Sequence, residues 1–129
     1  TRNPRGREMG TSEVELNDHG AQDALFRAMP RRFAAQATHC DTVIRAPAEA
    51  AVLATSSKDG CQSFRVGERA WGVQFHPEIT APIMRGYVRA RTATLQAEGH
   101  DPEAVHAGVR DHVDGAMVLA NFLAAAFAR

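Results

Sequence analysis

The sequence predicts the later part of an α/β fold, with strands gathered in its first half and helices in its second. Three observations carry this. Short apolar runs, alternating or rich in β-branched residues, recur between residues 11 and 75, as half-buried strands require. From residue 80 onward the apolar residues fall at helical spacing. No strand is followed by a Gly-rich loop and a helix. Strands followed by helices read in isolation as α+β, and an α/β sheet without its first half would show the same order.

Residues 11–16 alternate, with Val14 and Leu16 on one side, and predict a short strand. Asn17, Asp18, His19 and Gly20 form a turn cluster. Residues 21–29 predict a helix bearing Leu25 and Phe26, stopped by Pro30. Residues 33–38 predict a second strand, residues 42–45 a short extended piece before Pro47, and residues 51–56 a strand around Val52 and Leu53. Asp59-Gly60 marks a turn, because glycine accepts positive φ there. Residues 61–66 and 70–75 then predict a hairpin with Gly67, Glu68 and Arg69 at its tip.

After residue 78 the period changes. Thr80 is a suitable N-cap, and Pro82 falls in a first turn where it is tolerated. Ile83, Tyr87, Ala90 and Leu95 give a helical face that Gly99 ends. Asp101 caps and Pro102 opens the next helix, which carries Val105, Val109, Val113, Met117 and Phe122, with Asp111 or Gly115 as a point of division.

Length and composition bound the function. The chain has 129 residues, the size of one domain, and 44% of them are hydrophobic, enough for a core. Lys plus Arg and Asp plus Glu are 15 each, so no basic footprint points to nucleic acid. Arg31-Arg32 reads as solvated surface. No apolar run nears the ~20 residues of a membrane span, and no signal peptide opens the chain. Two cysteines, Cys40 and Cys61, make no disulfide framework and fit reduced thiols in the cytoplasm. The opening Thr1 to Gly10 reads like the middle of a longer protein.

The stretch from Trp71 to Glu78 carries the chemistry. It is an apolar strand that ends at Pro77, with His76 and Glu78 two residues apart. On an extended backbone two such residues point to one side. A carboxylate beside an imidazole selects its tautomer and stabilises the protonated ring, the base and orienter of a nucleophile–base–orienter set. From spacing alone, a turn with a surface ion pair remains open.

The string Gly72 to Glu78 matches the signature of class I glutamine amidotransferase domains at every position. Asn3-Pro4 with Gly6 to Gly10 resembles the segment after the nucleophile helix in the GMP-synthase-like branch. His39, Asp41 and Val43 resemble the His-x-Asp segment bordering the glutamine pocket there, Val52 to Ala54 the following strand, and Asn121 to Leu123 the closing helix. The resemblance therefore extends over almost the whole chain. It implies a flavodoxin-like α/β fold of which this chain supplies late, partly antiparallel strands and the C-terminal helices. It also implies a Cys-His-Glu triad that hydrolyses glutamine to glutamate and ammonia for an acceptor. His76 is expected as base, Glu78 as its orienter, and His39 and Asp41 as border of the substrate pocket.

The family nucleophile sits in a G-x-C-x-G elbow, and no such string occurs in this sequence. The chain is thus expected to be a partial domain, inactive alone, with glutamine as substrate and, as partner, a synthetase subunit or a missing N-terminal half. Cys40, between His39 and Asp41, and Cys61, after Gly60, are weak substitutes, since neighbours on an extended segment face opposite ways and a small buried thiol is the default. A non-catalytic regulatory or binding module of the same descent and a γ-glutamyl amide hydrolase of the same fold are the alternatives. His106 and His112 are six apart, too far for a helical metal pair, so neither a metal nor a cofactor is assigned. With its central strands absent, the sheet is expected to expose an apolar edge, to be thermally weak or to self-associate.

Overall fold

The computed structural model describes residues 1–112 and 114–128. Five strands come first: β1 (Glu8–Leu16), β2 (Arg32–His39), β3 (Ala50–Thr55), β4 (Ser63–Val66) and β5 (Ala70–Val73). A short helix α1 (Asp18–Ala21) and a 3₁₀ turn (Ala24–Phe26) lie between β1 and β2. Four helices follow the sheet: α2 (Ala81–Ala90), α3 (Thr92–Ala97), α4 (Pro102–Ala107) and α5 (Asp114–Phe127).

The strand order is β2-β1-β3-β4-β5, and every pairing between these strands is antiparallel. The longest ladder, β1 with β2, runs from Glu8 opposite His39 to Glu15 opposite Arg32. Beyond β5 the polypeptide does not leave the sheet at once. Gln74 N–H donates to Gln62 C=O at 2.9 Å, and His76 N–H donates to Gln36 C=O on β2 at 2.8 Å. The segment after one edge strand therefore meets the other edge, and the sheet curls until it closes on itself. That closure reduces the unpaired edge that an isolated sheet would present.

Two apolar clusters form. The first joins Val14 and Leu16 of β1, Phe33 and Ala35 of β2, Leu53 of β3, Leu25, Phe26, Phe75 and Val118. Phe33 sits between Phe26 and Phe75, with ring centroids 5.8 Å from each and the Phe75 ring edge-on. The second packs Ala81, Met84, Val88, Leu95 and Val109 with Ile79, and Met9 of β1 lies against it. Each fully buried Leu, Met or Phe contributes about 1.5–3 kcal/mol, so the clusters hold α5 against β2 through Val118 and Phe33 and α2 against β1 through Met84 and Met9.

Several sequence expectations differ from the structure. Residues 21–29 do not form one helix. Asn17 caps α1 by accepting from Gly20 N–H, and Asp23 starts a separate 3₁₀ turn by accepting from Leu25 N–H. Asp23 is buried and also accepts from Arg65 Nε at 2.7 Å and Trp71 Nε1 at 2.9 Å, so hairpin contacts override local helix preference. Residues 42–45 form no strand. Thr42 N–H donates to Thr1 C=O, and its hydroxyl donates to Asp59. On α2 the buried residues are Ala81, Met84 and Val88, while Ile83 and Tyr87 are half exposed. Thr80 occupies the N-cap position without a capping bond from its hydroxyl. Among the described residues the exposed large apolar groups lie mainly on helices, with Leu119, Phe122, Leu123 and Phe127 along α5, while the edge strand β5 contributes Val73. Val113 lies outside the described residues.

Candidate active site

His76 and Glu78 stand where the curled sheet closes. Phe75 points into the first core and is 3% exposed, and Gln74 beside it donates through Nε2 to Asp59 Oδ2 and to Cys61 C=O. The bond from His76 N–H to Gln36 C=O fixes the strand end. Pro77 has no N–H to continue a ladder, and the backbone turns instead: His76 C=O accepts from Ile79 N–H at 3.3 Å. Ile79 is anchored in the second core. The elbow is thus tied to one core through Phe75 and to the other through Ile79.

The two side chains meet across this turn rather than along an extended strand. His76 Nδ1 lies 2.7 Å from Glu78 Oε1. Burial alone would raise the Glu78 carboxyl, but the His76 hydrogen bond, its own backbone N–H and the imidazole charge more than offset it and hold it below the usual carboxylate range. An ionised carboxylate can only accept. Nδ1 is therefore the donor of this bond, and in the neutral ring Nε2 presents its lone pair. Among the described residues Nε2 has no hydrogen-bond partner, and the His76 side chain keeps 38% exposure. The pair opens into a cleft of about 280 Å³ lined by Thr38, His76, Glu78, Ile79, Tyr87 and Arg91.

The other sequence candidates lie elsewhere. His39, at the end of β2, points into a buried polar cluster. Its Nε2 is 3.4 Å from Glu8 Oε2 and 3.7 Å from Asp59 Oδ2, in charge-pairing range without hydrogen-bond geometry. Glu8 Oε2 also accepts from Gln62 Nε2 at 2.7 Å and Ser56 Oγ at 3.1 Å. Burial pushes the Glu8 carboxyl up, and His39, Ser56 and Ser12 together bring it below its usual value. Asp41 is exposed, and its backbone forms an isolated antiparallel β-bridge with Arg2. Thr38, rather than His39 or Asp41, faces the His76 cleft.

Cys40 lines a separate cleft of about 320 Å³ with Arg2, Asn3, Arg7 and His100, and its sulfur lies 4.0 Å from Asp41 Oδ1. Cys61 is buried, and burial followed by the nearby Asp59 charge pushes its thiol up, the reverse of an activated nucleophile. Among the described residues neither sulfur bonds to His76. Sequence reasoning missed Thr38, Tyr87 and Arg91. The available signal was the two-residue spacing of Thr38 from Gln36 and the i, i+4 spacing of Tyr87 and Arg91. Among the described residues no group of three or more His, Cys, Asp or Glu is placed to hold a metal ion, and no helix is long and apolar enough to cross a membrane.

The chain is 39% identical over 72 residues, 56% of its length, to the GMP synthase [glutamine-hydrolyzing] of Aeropyrum pernix, of which it covers 14%. It is 34% identical over 108 residues, 82% of its length, to the GMP synthase [glutamine-hydrolyzing] of Tropheryma whipplei, of which it covers 20%. A solved glutamine amidotransferase from Thermotoga maritima superposes over 95% of this chain and 52% of its own, with TM-score 0.71 and 28% identity. The strands and helices seen here therefore match about half of that α/β fold, and the chain spans about half the length of the solved relative. The family model for class-I glutamine amidotransferases matches residues 2–88, from before β1 through the His76–Glu78 elbow into α2, and the chain belongs to that family.

Proposed function

We propose that this protein holds the base and the orienting carboxylate of a glutaminase, the ammonia-producing half of a glutamine amidotransferase. The observation that supports it is the 2.7 Å contact between His76 Nδ1 and Glu78 Oε1 at an open cleft. Glu78 holds the ring with Nδ1 protonated, and Nε2 accepts the thiol proton of a cysteine. The thiolate attacks the side-chain amide carbon of glutamine. His76 returns the proton to the departing ammonia, and water, deprotonated by the same nitrogen, cleaves the thioester to glutamate. Neither Cys40 nor Cys61 is placed for the attack, so the nucleophile comes from outside the residues of this chain. The chain then acts as part of a larger domain, and the ammonia passes to a synthetase domain or subunit.

Glutamate release from glutamine tests this. The purified chain alone is expected to be silent. Mixed or fused with a polypeptide carrying a G-x-C-x-G elbow from a relative, it should turn over glutamine, and His76→Ala should lower that rate by about 10²–10⁴-fold. Turnover by the chain alone that Cys40→Ala or Cys61→Ala abolishes would show that one of these thiols is the nucleophile and the reading is wrong.

A further inference from the structure

We infer that Gln36 is a positioning residue for the His76–Glu78 pair, acting through the peptide group it shares with the closing seam of the sheet. The inference rests on the glutaminase reading above and adds to it a residue outside the expected triad.

Gln36 is fully buried in the middle of β2, flanked by Ala35 and Ala37. An amide in such a place costs free energy unless it is hydrogen-bonded, and a Leu or Met would fill the volume without that demand. Both ends of this amide are used. Oε1 accepts from the Thr11 hydroxyl at 3.1 Å, and Nε2 donates to Arg110 C=O at 3.0 Å. Thr11 Oγ1 also accepts from Arg110 N–H at 2.8 Å, which closes a three-residue ring of bonds among β1, β2 and the segment before α5. The backbone carbonyl oxygen of the same Gln36 receives His76 N–H at 2.8 Å, in an isolated bridge.

The seam to His76 is a single bridge with no flanking rungs of its own. The Gln36 peptide is held on its other side by the β1–β2 ladder, and the Gln36 side chain adds a tie from that strand to the Thr11 hydroxyl and to Arg110, which the ladder does not reach. The elbow is held from α5 as well, because Gly115 packs directly on the backbone of Pro77. Arg110 precedes α5, so the clamp and the helix share one frame. If the Gln36 peptide tilts, His76 moves while Glu78, beyond Pro77, stays with α5, and the 2.7 Å contact opens. Misplacement by about 1 Å costs on the order of 10²-fold in rate.

The test is ¹⁵N NMR of the imidazole rings in the 129-residue chain, with the His76 signals assigned by their loss in His76→Asn. The parent should show His76 protonated at Nδ1. Gln36→Met, similar in volume but without hydrogen bonds, and Thr11→Val should shift the tautomer ratio about tenfold toward Nε2–H, the scale of one charge-assisted hydrogen bond. Thr11→Ser, which keeps the hydroxyl, should stay near the parent. A Gln36→Met variant with native far-ultraviolet dichroism and an unchanged ratio would overturn the inference. Should that variant not fold, the Thr11→Val and Thr11→Ser pair decides by the same criterion. A parent protein with His76 protonated at Nε2 would remove the His76–Glu78 pair and the glutaminase reading with it, whereas unchanged variants beside an Nδ1-protonated parent would remove only the role of Gln36.

Discussion

Replacing Gly115 by alanine should loosen the elbow that carries His76 and Glu78. Gly115 lies in the first turn of α5. A Cβ there would sit 2.3 Å from Pro77 O, 3.1 Å from its carbonyl carbon and 3.2 Å from its Cα. A close C···O contact is about 3.3–3.6 Å, so the helix or the elbow must move by about 1 Å. The obstacle is backbone, with no flexible side-chain end to swing away. Overpacking of this kind costs about 1–3 kcal/mol, and alanine returns at most about 1 kcal/mol of helix propensity. The net loss is about 1–2 kcal/mol, a fall in Tm of roughly 2–8 °C for a chain of this size. Thermal unfolding followed by circular dichroism measures it. Gly86→Ala is the internal control: this glycine lies inside α2 with nothing within 4 Å of an added Cβ, so the same change should raise stability by up to about 1 kcal/mol. If Gly115→Ala unfolds at or above the parental temperature, the close approach of α5 to Pro77 does not constrain the elbow.

Three further outcomes follow from groups away from the elbow. At pH 8 an alkylating reagent should modify half-buried Cys40 well before Cys61, whose thiol is buried and raised; mass spectrometry showing Cys61 modified first in the folded protein would contradict this. The Glu8 carboxyl is depressed in the folded state, so the stability it contributes is fully present above the ordinary glutamate value of about 4.3 and is lost as pH falls through the lower folded value. Glu8→Gln should therefore flatten the acid limb of stability against pH, read from urea midpoints between pH 5 and about pH 3, and an unchanged slope would refute the assignment. Asp23→Ala should destabilise by about 2–4 kcal/mol, because it strips acceptors from Arg65, Trp71 Nε1 and Leu25 N–H at once; a urea midpoint within error of the parent would show that the junction holds without it.

The strands were legible because their signal is local. Val14 and Leu16 alternate with charged Glu13 and Glu15, and the structure buries the apolar pair and leaves both carboxylates outside the core. The start of β1 was not legible. Glu8 reads as surface, yet it pairs opposite His39 and meets Gln62, 54 residues away. A buried polar cluster assembled over such separations leaves no pattern in a window of ten or fifteen residues. The broken helix at residues 21–29 has the same origin, since the hairpin groups that hold Asp23 lie 42 and 48 residues further on. On α2 the period was right and the face wrong. Ile83-Tyr87 and Met84-Val88 have equal spacing, and only contact with Leu95 and Val109 decides which pair is buried. His76 and Glu78 were visible because they are two apart, although the turn that joins them, rather than strand alternation, brings them together.

The seam between Gln36 and His76 has a consequence for how the site comes into being. It joins residues 40 positions apart, and a contact of such separation must repay the entropy of closing a long loop before it gains anything. The seam that holds the elbow therefore exists only when the sheet has wrapped round. An imidazole poised beside a carboxylate is then absent from unfolded and half-formed molecules alike. Exchange of the His76 amide with deuterium would report the opening of the sheet itself, so one slow proton would measure the integrity of both the fold and the site.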